Sequence, residues 1–485
     1  MASRTDQLHS YQFTAQRVVS ALVTGQTDPA QSPFRRLAGS TLIGALVGAL
    51  SIAAVAVYGV LEPGGGTGWR DASAVIVEKE TGARYVYLDG TLRPVPNYAS
   101  ALLIIGSAQA HTVSVARRTI AQVPRGAPLG IAGAPDSLPE AGRLLGAPWT
   151  MCTDPAGAST LYVGQTAPGG HPLGDAGLLV RPAGVPADGV SLIWHGHRHR
   201  VTDFALGALA WRGQAVLTVA TALLDAVPAG PDLGAIPIAG RGRRSKAGFA
   251  TVGQVFVVRP QGGAPQYAVA VPDGLAAISQ VQANLLLGDR QTAAVQGRPD
   301  AIELPPGDYT AAPVSAPLTP RAGELAPPLA MPALAPPSDL DSGLCARTDG
   351  PQGLPSIQAG VPAGSAAGTG SAAGTGSAAG AGSTAGAGSG AGAADGSGVL
   401  AGRVVVAPDR GTIVEAVASA GAQSGALSLV TDLGVRYPVP RADVLDMLGY
   451  GGVTPVRMPA ALVAALPAGQ TLDPDAARTA ASVTN

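Results

Sequence analysis

The sequence TLIGALVGALSIAAVAVYGVL occupies residues 41–61, a run of 21 residues without a charge. As an α-helix this run would be roughly 30 Å long, which matches the hydrocarbon core of a bilayer. Arg35 and Arg36 precede the run, and a close pair of basic residues favours a cytoplasmic N-terminus. The sequence therefore predicts a cytoplasmic helical segment 1–40, a single transmembrane helix 41–61 and an extracytoplasmic, periplasmic region 62–485.

Two alternatives for the apolar run remain open. A buried core helix is one, although no polar stripe interrupts the run. A cleaved signal peptide is the other, because Ala54-Val55-Ala56 matches the small-residue cleavage pattern. We favour an uncleaved anchor, since forty residues precede the run and it is too long for the apolar region of a signal peptide.

The segment before the anchor contains a predicted amphipathic helix. It would begin near Thr5 and end at Thr24-Gly25, with apolar residues such as Leu8, Tyr11 and Leu22 on one face. Such a helix would lie on the membrane surface or bind a cytoplasmic partner, and the residues alone favour neither role.

The chain has two cysteines, Cys152 and Cys345. In a reducing cytosol they would be buried thiols, whereas an oxidising compartment allows them to pair. The predicted topology puts both outside the cytoplasm and so predicts a disulfide. That bond would close a loop of 193 residues (345 − 152) and would remove on the order of 5 kcal/mol of unfolded-state entropy. The sequence does not supply the geometry that the bond requires.

Internal similarity divides the outer region into four predicted repeats of a β-hairpin and a helix. The stretch ALLDAVPAG at 222–230 matches ALVAALPAG at 461–469, and each follows two strand-like segments joined at a glycine. A weaker pair begins at Ala74 and Val255. Each repeat is too small to bury its apolar face alone, so we expect a shared core. The predicted bounds are 72–110, 189–237, 252–290 and 427–474.

The residues between the repeats predict a central β-domain, formed by 111–188 and 339–426. Trp149 stands near Cys152 in the first part, and Val404-Val405-Val406 and Ile413-Val414 look like strands in the second. Residues 364–398 are almost wholly Gly, Ala and Ser, a composition that buries too little apolar area to offset chain entropy. They predict a flexible linker within an elongated α+β protein.

Composition and motifs argue against most enzymatic functions. Charged residues are 13% of the chain and the net charge is −1, so nothing favours a nucleic-acid partner. The chain has no G-x-x-x-x-G-K-[ST] phosphate loop, no H-E-x-x-H and no G-x-S-x-G element between a strand and a helix. The glycine-rich basic stretch 240–246 lacks the phosphate-loop spacing and is interpreted as a solvated loop, with a contact to a surface anion or a wall polymer as the alternative. These observations predict no cofactor.

His195, His197 and His199 are the best candidate metal ligands. On a strand they would project from one face, about 6.8 Å apart along it. That spacing is too wide for three bonds of about 2 Å to one ion without backbone bending. A polar strand face is therefore the favoured interpretation, and a metal site is the alternative.

Several motifs occur in one order along nearly the whole chain outside the linker. Examples are Gly82-Ala83-Arg84-Tyr85-Val86, Leu92-Arg93-Pro94-Val95-Pro96-Asn97, Gly130-Ile131-Ala132-Gly133-Ala134-Pro135 and Trp149-Thr150-Met151-Cys152-Thr153. Together they resemble the EccB family of actinobacterial type VII (ESX) secretion systems. Any one of these motifs alone would be weak, whereas the ordered series is specific.

The resemblance implies a structural subunit of the inner-membrane core complex of a type VII secretion system. It implies the EccC ATPase, EccD and EccE as partners, a mycosin protease as a further partner, and self-association through the periplasmic region. The family's disulfide corresponds to Cys152 and Cys345. ATP hydrolysis has been proposed for the family, but the absence of a nucleotide motif predicts that this chain is not an enzyme. A membrane-anchored cell-wall-binding protein and an extracytoplasmic enzyme are the alternative functions.

Overall fold

A computed structural model describes most of the chain. The described residues are 3–25, 33–61, 67–184, 189–318, 328–336, 342–361 and 399–479. The predicted linker 364–398 lies outside them. Strands and helices are numbered below in chain order.

The chain begins with two long helices, α1 (Arg4–Thr24) and α2 (Pro33–Leu61). Ser3 and Asp6 form a capping box at the start of α1, and Gly25 ends the helix in the left-handed conformation. This agrees with the predicted helix and its end at Thr24-Gly25. The predicted anchor 41–61 is the C-terminal part of α2. Among the residues described, no helix is both long enough and apolar enough to cross a membrane.

The described residues form five sheets, and four of these share one topology. We call the four corresponding segments units 1 to 4 (residues 74–129, 178–233, 255–318 and 412–472). In each unit three strands form an antiparallel meander, and a helix then leads to a fourth strand that pairs in parallel with the first. Unit 1 comprises β1 (Ala74–Glu78), β2 (Arg84–Leu88), β3 (Thr91–Val95), α3 (Tyr98–Ile105), β4 (His111–Val115) and α4 (Arg117–Ile120).

The other units repeat this order of elements. Unit 2 comprises β8 (Leu178–Pro182), β9 (Ser191–Trp194), β10 (His197–Arg200), α5 (Asp203–Ala208), β11 (Leu217–Val219) and α6 (Thr221–Ala226). Unit 3 comprises β12 (Val255–Val258), β13 (Gln266–Val271), β14 (Gly274–Ile278), α7 (Gln280–Leu287), α8 (Arg290–Gln296), β15 (Ile302–Glu303), α9 (Pro306–Ala311) and β16 (Val314–Ser315). Unit 4 comprises β20 (Thr412–Val417), β21 (Ala426–Val430), β22 (Arg436–Val439), α10 (Asp443–Met447), β23 (Val456–Pro459) and α11 (Ala460–Ala464), and α12 (Pro474–Ala477) follows it.

The fifth sheet, the central sheet, combines two distant parts of the chain. Its strand order is β19-β6-β5-β17-β18-β7. The strands are β5 (Trp149–Thr153), β6 (Ser159–Tyr162), β7 (His171–Pro172), β17 (Gly343–Thr348), β18 (Ser356–Val361) and β19 (Arg403–Val405). Several sheets together with helices make this a mixed α+β protein, as the sequence predicts.

Each unit ends in an exit motif, Pro-x-[Gly/Ser]-x-x-Leu, that returns to the third strand of its own meander. The prolines are Pro124, Pro228, Pro313 and Pro467. In every unit the carbonyl of this proline accepts a hydrogen bond from a backbone N–H of the third strand, at 2.8–2.9 Å. The motif thereby forms an isolated parallel bridge to the third strand in units 1, 2 and 4. In unit 3 it forms a fifth strand, β16, which pairs with β14.

The buried clusters define how the units are arranged. Side chains of units 1 and 4 share one core, as do those of units 2 and 3. A third core joins units 2 and 4 to one face of the central sheet. Units 4 and 2 therefore lie side by side on one face of the central sheet, with unit 1 packed on unit 4 and unit 3 packed on unit 2, an order that differs from the order in the chain.

The sheets cross several of the predicted domain bounds. β4 and β8 lie within the predicted central segment 111–188, but they pair with β1 and β9 of units 1 and 2. β20 lies within 339–426 but opens unit 4. The physical reason is that a first or fourth strand completes its sheet from a distance, after a loop or a helix, and so has no neighbouring hairpin signal.

Candidate functional site

A disulfide between Cys152 and Cys345 lies inside the central sheet. β5 and β17 are antiparallel neighbours, and their register sets the two cysteines opposite each other with Cα atoms 4.0 Å apart. Both are buried in a small cluster with Tyr162, Val361 and Val405. The bond joins the two parts of the chain that build this sheet, 193 residues apart. The structure thus brings the two sequence-predicted site residues together.

The opposite face of the central sheet holds units 2 and 4. Trp149 and Met151 alternate with Cys152 along β5 and point into the core shared with these units. Leu223 of α6 and Leu462 of α11 are fully buried in the same core. Because α6 and α11 also contact each other, the sheet, the disulfide and both units form one body.

The three histidines occupy different places, so the expectation that they share one strand face is wrong for His195. His195 has a φ of 47° and Gly196 a φ of 73°, the pair of left-handed residues that a type I′ hairpin turn requires. The turn directs His195 away from β10, where it stacks on Trp194 and places Nε2 2.8 Å from a carboxylate oxygen of Asp175.

His197 and His199 lie on β10, with ring centroids 6.2 Å apart. His199 Nδ1 lies 2.9 Å from the carbonyl oxygen of Pro231. Burial lowers the pKa of His199, while the bond to Pro231 acts in the opposite direction. Within the described ranges, no group of three or more His, Cys, Asp and Glu residues is arranged to hold a metal ion.

In units 2 and 4 the glycine of the exit motif packs directly against an aromatic side-chain ring. A Cβ on Gly230 would lie 2.5 Å from Cε1 of His199, and one on Gly469 would overlap the ring of Tyr437. The two pairs are equivalent, since Arg198 and Arg436 make the same backbone hydrogen bonds to their exit motifs. The glycine is therefore required here by close approach of the motif to a buried ring.

The basic loop 240–246 precedes unit 3 and bonds both to that unit and to neighbouring loop residues. The Arg241 guanidinium pairs with Asp289 and donates to the carbonyl of Ile236 at 3.2 Å. The Ser245 hydroxyl is buried and donates to the carbonyl of Val271 at 2.8 Å. Arg244 donates to the carbonyl of Gly248. These contacts hold the loop against unit 3, so it is anchored rather than fully solvated.

A surface cavity of about 260 Å³ lies between the segment before β5 and the turn before β20. The charged side chains that line the cavity bond to one another and to the backbone. Arg143 Nη1 lies 3.4 Å from Asp409 Oδ2, and the Asp409 backbone N–H donates to the Asp432 carboxylate at 3.2 Å. Glu140 and Arg410 also line the cavity. Carboxylates matched by guanidinium groups in this way are typical of a polar surface rather than of a paired-carboxylate catalytic site.

The sequence reasoning missed two features of these surfaces. It recognised Pro-Ala-Gly only at Pro228 and Pro467, although the spacing from proline to leucine is the same in all four units. It also did not predict that α6 and α11 meet on the central sheet. The similar apolar sequences of 222–227 and 461–466 are the signal available for that contact, and positions 223–227 and 462–466 have the same order of buried residues.

Comparison with known proteins gives one family and several relatives. The family model described as "Type VII secretion system ESX-1, transport TM domain B" matches residues 1–484. The ESX-3 secretion system ATPase EccB3 of Mycolicibacterium smegmatis is 32% identical over 295 residues, which are 58% of this chain and 56% of that protein. The matched part thus spans about half the length of this curated relative.

Two solved structures are similar in fold. The EccB3 dimer from the ESX-3 core complex has a TM-score of 0.61 and 26% identity, over 84% of this chain and 100% of that chain. The periplasmic assembly from the ESX-5 inner membrane complex has a TM-score of 0.57 and 25% identity, over 85% of this chain and 96% of that chain.

Proposed function

Because this chain belongs to the EccB family of type VII secretion proteins, we propose that it is a structural subunit of the inner-membrane core complex of such a secretion system. In that role it scaffolds the periplasmic side of the channel. The observation that carries the proposal is the likeness to the EccB3 dimer, which extends over the whole of that chain. A disulfide-linked central sheet that holds units 2 and 4 on one face, with units 1 and 3 packed on them, suits such a role, since it is a rigid body with several exposed faces.

The proposal includes a membrane anchor at 41–61 within α2, with the N-terminus in the cytoplasm and everything after the anchor in the periplasm. Support comes from the uncharged run and from apolar side chains that α2 exposes, including Leu42, Ile43, Leu46, Leu50 and Ile52. An apolar helix face that no protein covers gains free energy when lipid covers it. The disulfide adds support, because such bonds persist in oxidising compartments.

Units 1 to 4 are proposed to be four copies of one repeat around the central β-domain. The shared strand order and the Pro-x-[Gly/Ser]-x-x-Leu motif support this. Such repeats offer several equivalent faces, of which some pack internally and others remain for partners.

The proposed partners are a second copy of this chain, the EccC ATPase, EccD, EccE and a mycosin protease. Self-association is supported by the dimeric state of the EccB3 structure. The other partners follow from family membership. In this assembly α1, which exposes Leu8, Tyr11, Phe13 and Leu22, would bind a cytoplasmic partner.

The proposed role is not enzymatic, although the curated relative is named an ATPase. The basic loop 240–246 is the nearest candidate for a phosphate site, but Arg241 and Ser245 bond to Asp289 and Val271 of unit 3, and Arg244 bonds to the carbonyl of Gly248. A nucleotide there would have to displace these contacts.

Affinity purification from native membranes tests the proposal. A tagged chain extracted in mild detergent should carry EccC and EccD with it. A chain that purifies alone, and that instead binds isolated peptidoglycan, would favour a wall-binding protein. ATP turnover that persists through purification and is lost on a single substitution would favour an enzyme.

A further inference from the structure

The second helix of unit 1 differs in chemistry from its equivalents in units 2 and 4. Five residues before the exit proline, units 2 and 4 have Leu223 and Leu462, which are buried against the central sheet. The same position in unit 1 is Thr119, and exposed Arg118 precedes it. This face of unit 1 is therefore polar where its equivalents are apolar, and it is unsuited to burial in a protein core.

Four exposed arginines surround this part of unit 1, and we call them the arginine face: Arg70, Arg117, Arg118 and Arg125. They lie around a small buried cluster that includes Trp69, Tyr85 and Ile120. The Arg70 guanidinium lies 5.0 Å from the centroid of the Trp69 ring. The Arg125 guanidinium lies 4.9 Å from that of Tyr85 and donates to its hydroxyl at 2.9 Å.

The nearby carboxylates already have partners in unit 1. Buried Glu78 accepts from the Tyr85 hydroxyl at 3.2 Å and lies 3.7 Å from Arg117 and 4.0 Å from Arg125. Glu80 accepts from the Arg117 backbone N–H at 2.8 Å, and Asp71 accepts from the Ser73 backbone N–H at 3.0 Å. Four guanidinium groups carry one more unit of charge than these three carboxylates, so the arginine face has a net positive charge.

The arginine face lies close in the chain to the proposed anchor. α2 ends at Leu61, and Trp69 and Arg70 belong to a 3₁₀ turn, Thr67–Arg70, that packs on β1. The six peptide steps from Leu61 to Thr67 reach at most about 20 Å. Given the proposed anchor, the face must lie near the point where α2 leaves the bilayer.

We propose that the arginine face binds the anionic phosphate headgroups of lipids in the membrane that α2 crosses. This inference rests on the proposed membrane anchor. Guanidinium groups bind phosphate through parallel N–H···O bonds, and they keep their charge at any physiological pH. Contact with headgroups would turn unit 1 towards the bilayer and so fix the tilt of the whole body, because units 1 and 4 share a core.

Hydrogen–deuterium exchange on the full chain in lipid nanodiscs tests this proposal. Discs of phosphatidylcholine are compared with discs that also contain phosphatidylglycerol. Exchange in residues 115–126 should slow in the anionic discs. In the double variant Arg70→Glu/Arg118→Glu the protection should fall by about fivefold for each arginine lost. Arg117 and Arg125 are left intact, because they pair with buried Glu78.

The matched control is Arg243→Glu/Arg298→Glu, which reverses one exposed charge on the basic loop 240–246 and one on unit 3, and it should leave the protection unchanged. Equal exchange of 115–126 in both discs would overturn the lipid contact and leave the anchor intact. Protection by inorganic phosphate in phosphatidylcholine discs would also overturn it, since the ligand would then not be the lipid. Failure of the full chain to enter discs would overturn the anchor and this inference together.

Discussion

Cys152 and Cys345 lie opposite each other on β5 and β17, bonded within the central sheet although 193 residues separate them. Units 2 and 3 lie in the intervening chain, and units 2 and 4 pack on the other face of the same sheet. The bond therefore limits how far the two parts of this sheet can separate in the unfolded chain.

Loss of the disulfide should destabilise the protein. The double variant Cys152→Ala/Cys345→Ala should lose about 2–5 kcal/mol of unfolding free energy, because the unfolded chain regains the freedom of the closed loop. Urea unfolding in mild detergent, followed by tryptophan fluorescence, measures the change. A reductant should destabilise the parent protein and leave the double variant unaffected. Two freely alkylated thiols in the native protein would contradict this account.

The glycine of the exit motif should be required in unit 4. Gly469→Ala adds a Cβ that overlaps the Tyr437 ring, and overpacking of this kind costs about 1–3 kcal/mol. Gly307→Ala is the matched control, since a Cβ there meets no atom within 4 Å and lies in helix α9. It should be neutral or slightly stabilising. Equal thermal midpoints for the two variants would show that the motif does not approach the ring.

Stability should fall in mild acid through His199. Its pKa is lowered in the folded state by burial, so above the unfolded pKa of about 6.5 both states are neutral and the stability is complete. As the pH falls below that value, the unfolded state binds the proton more readily, and stability is lost until the folded pKa is passed.

The variant His199→Tyr isolates this contribution, because Tyr437 fills the equivalent place in unit 4. Its free energy of unfolding should decline less than that of the parent between about pH 7 and about pH 5. Parallel declines in the parent and His199→Tyr proteins would refute the assignment.

The Gly-Ala-Ser segment should be dispensable for folding. The strand order and directions place the end of β18 and the start of β19 at the same end of the central sheet, four strand spacings or about 19 Å apart. A glycine-serine linker of about ten residues in place of 364–398 spans that distance. The thermal midpoint of this linker variant should match that of the parent protein. A much lower midpoint would mean that residues 364–398 pack on the fold.

Local sequence patterns predict the long helix α2 and several meander strands of the units, but they do not predict the fourth strand that completes the sheet of each unit. The apolar run 41–61 lies within α2, and the strands at Ala74, Ser191 and Val255 are where alternation and β-branched residues place them. The fourth strands, such as β11 with three residues, were not predicted. They pair in parallel after a helix, so neither a tight turn nor a long periodic run marks them.

The candidate surfaces were less accessible to sequence reasoning than the elements. The pairing of the cysteines follows from the predicted topology and the family resemblance. That the disulfide lies on the face of the central sheet opposite units 2 and 4 depends on contacts between α6 and α11, which the sequence does not show. The arginine face required the alignment of exit prolines first. Without that register, Thr119 and Leu223 are unrelated positions in the chain.

Electron microscopy of the complex purified through a tag on this chain tests the central claim most directly. We expect a membrane-embedded particle with at least two copies of the chain on its periplasmic side. Each copy should show units 4 and 2 side by side on one face of the central sheet, with unit 1 packed on unit 4 and unit 3 packed on unit 2. A single copy in a detergent micelle, with no larger assembly under the same extraction, would contradict the claim that this protein is a structural subunit of a secretion complex.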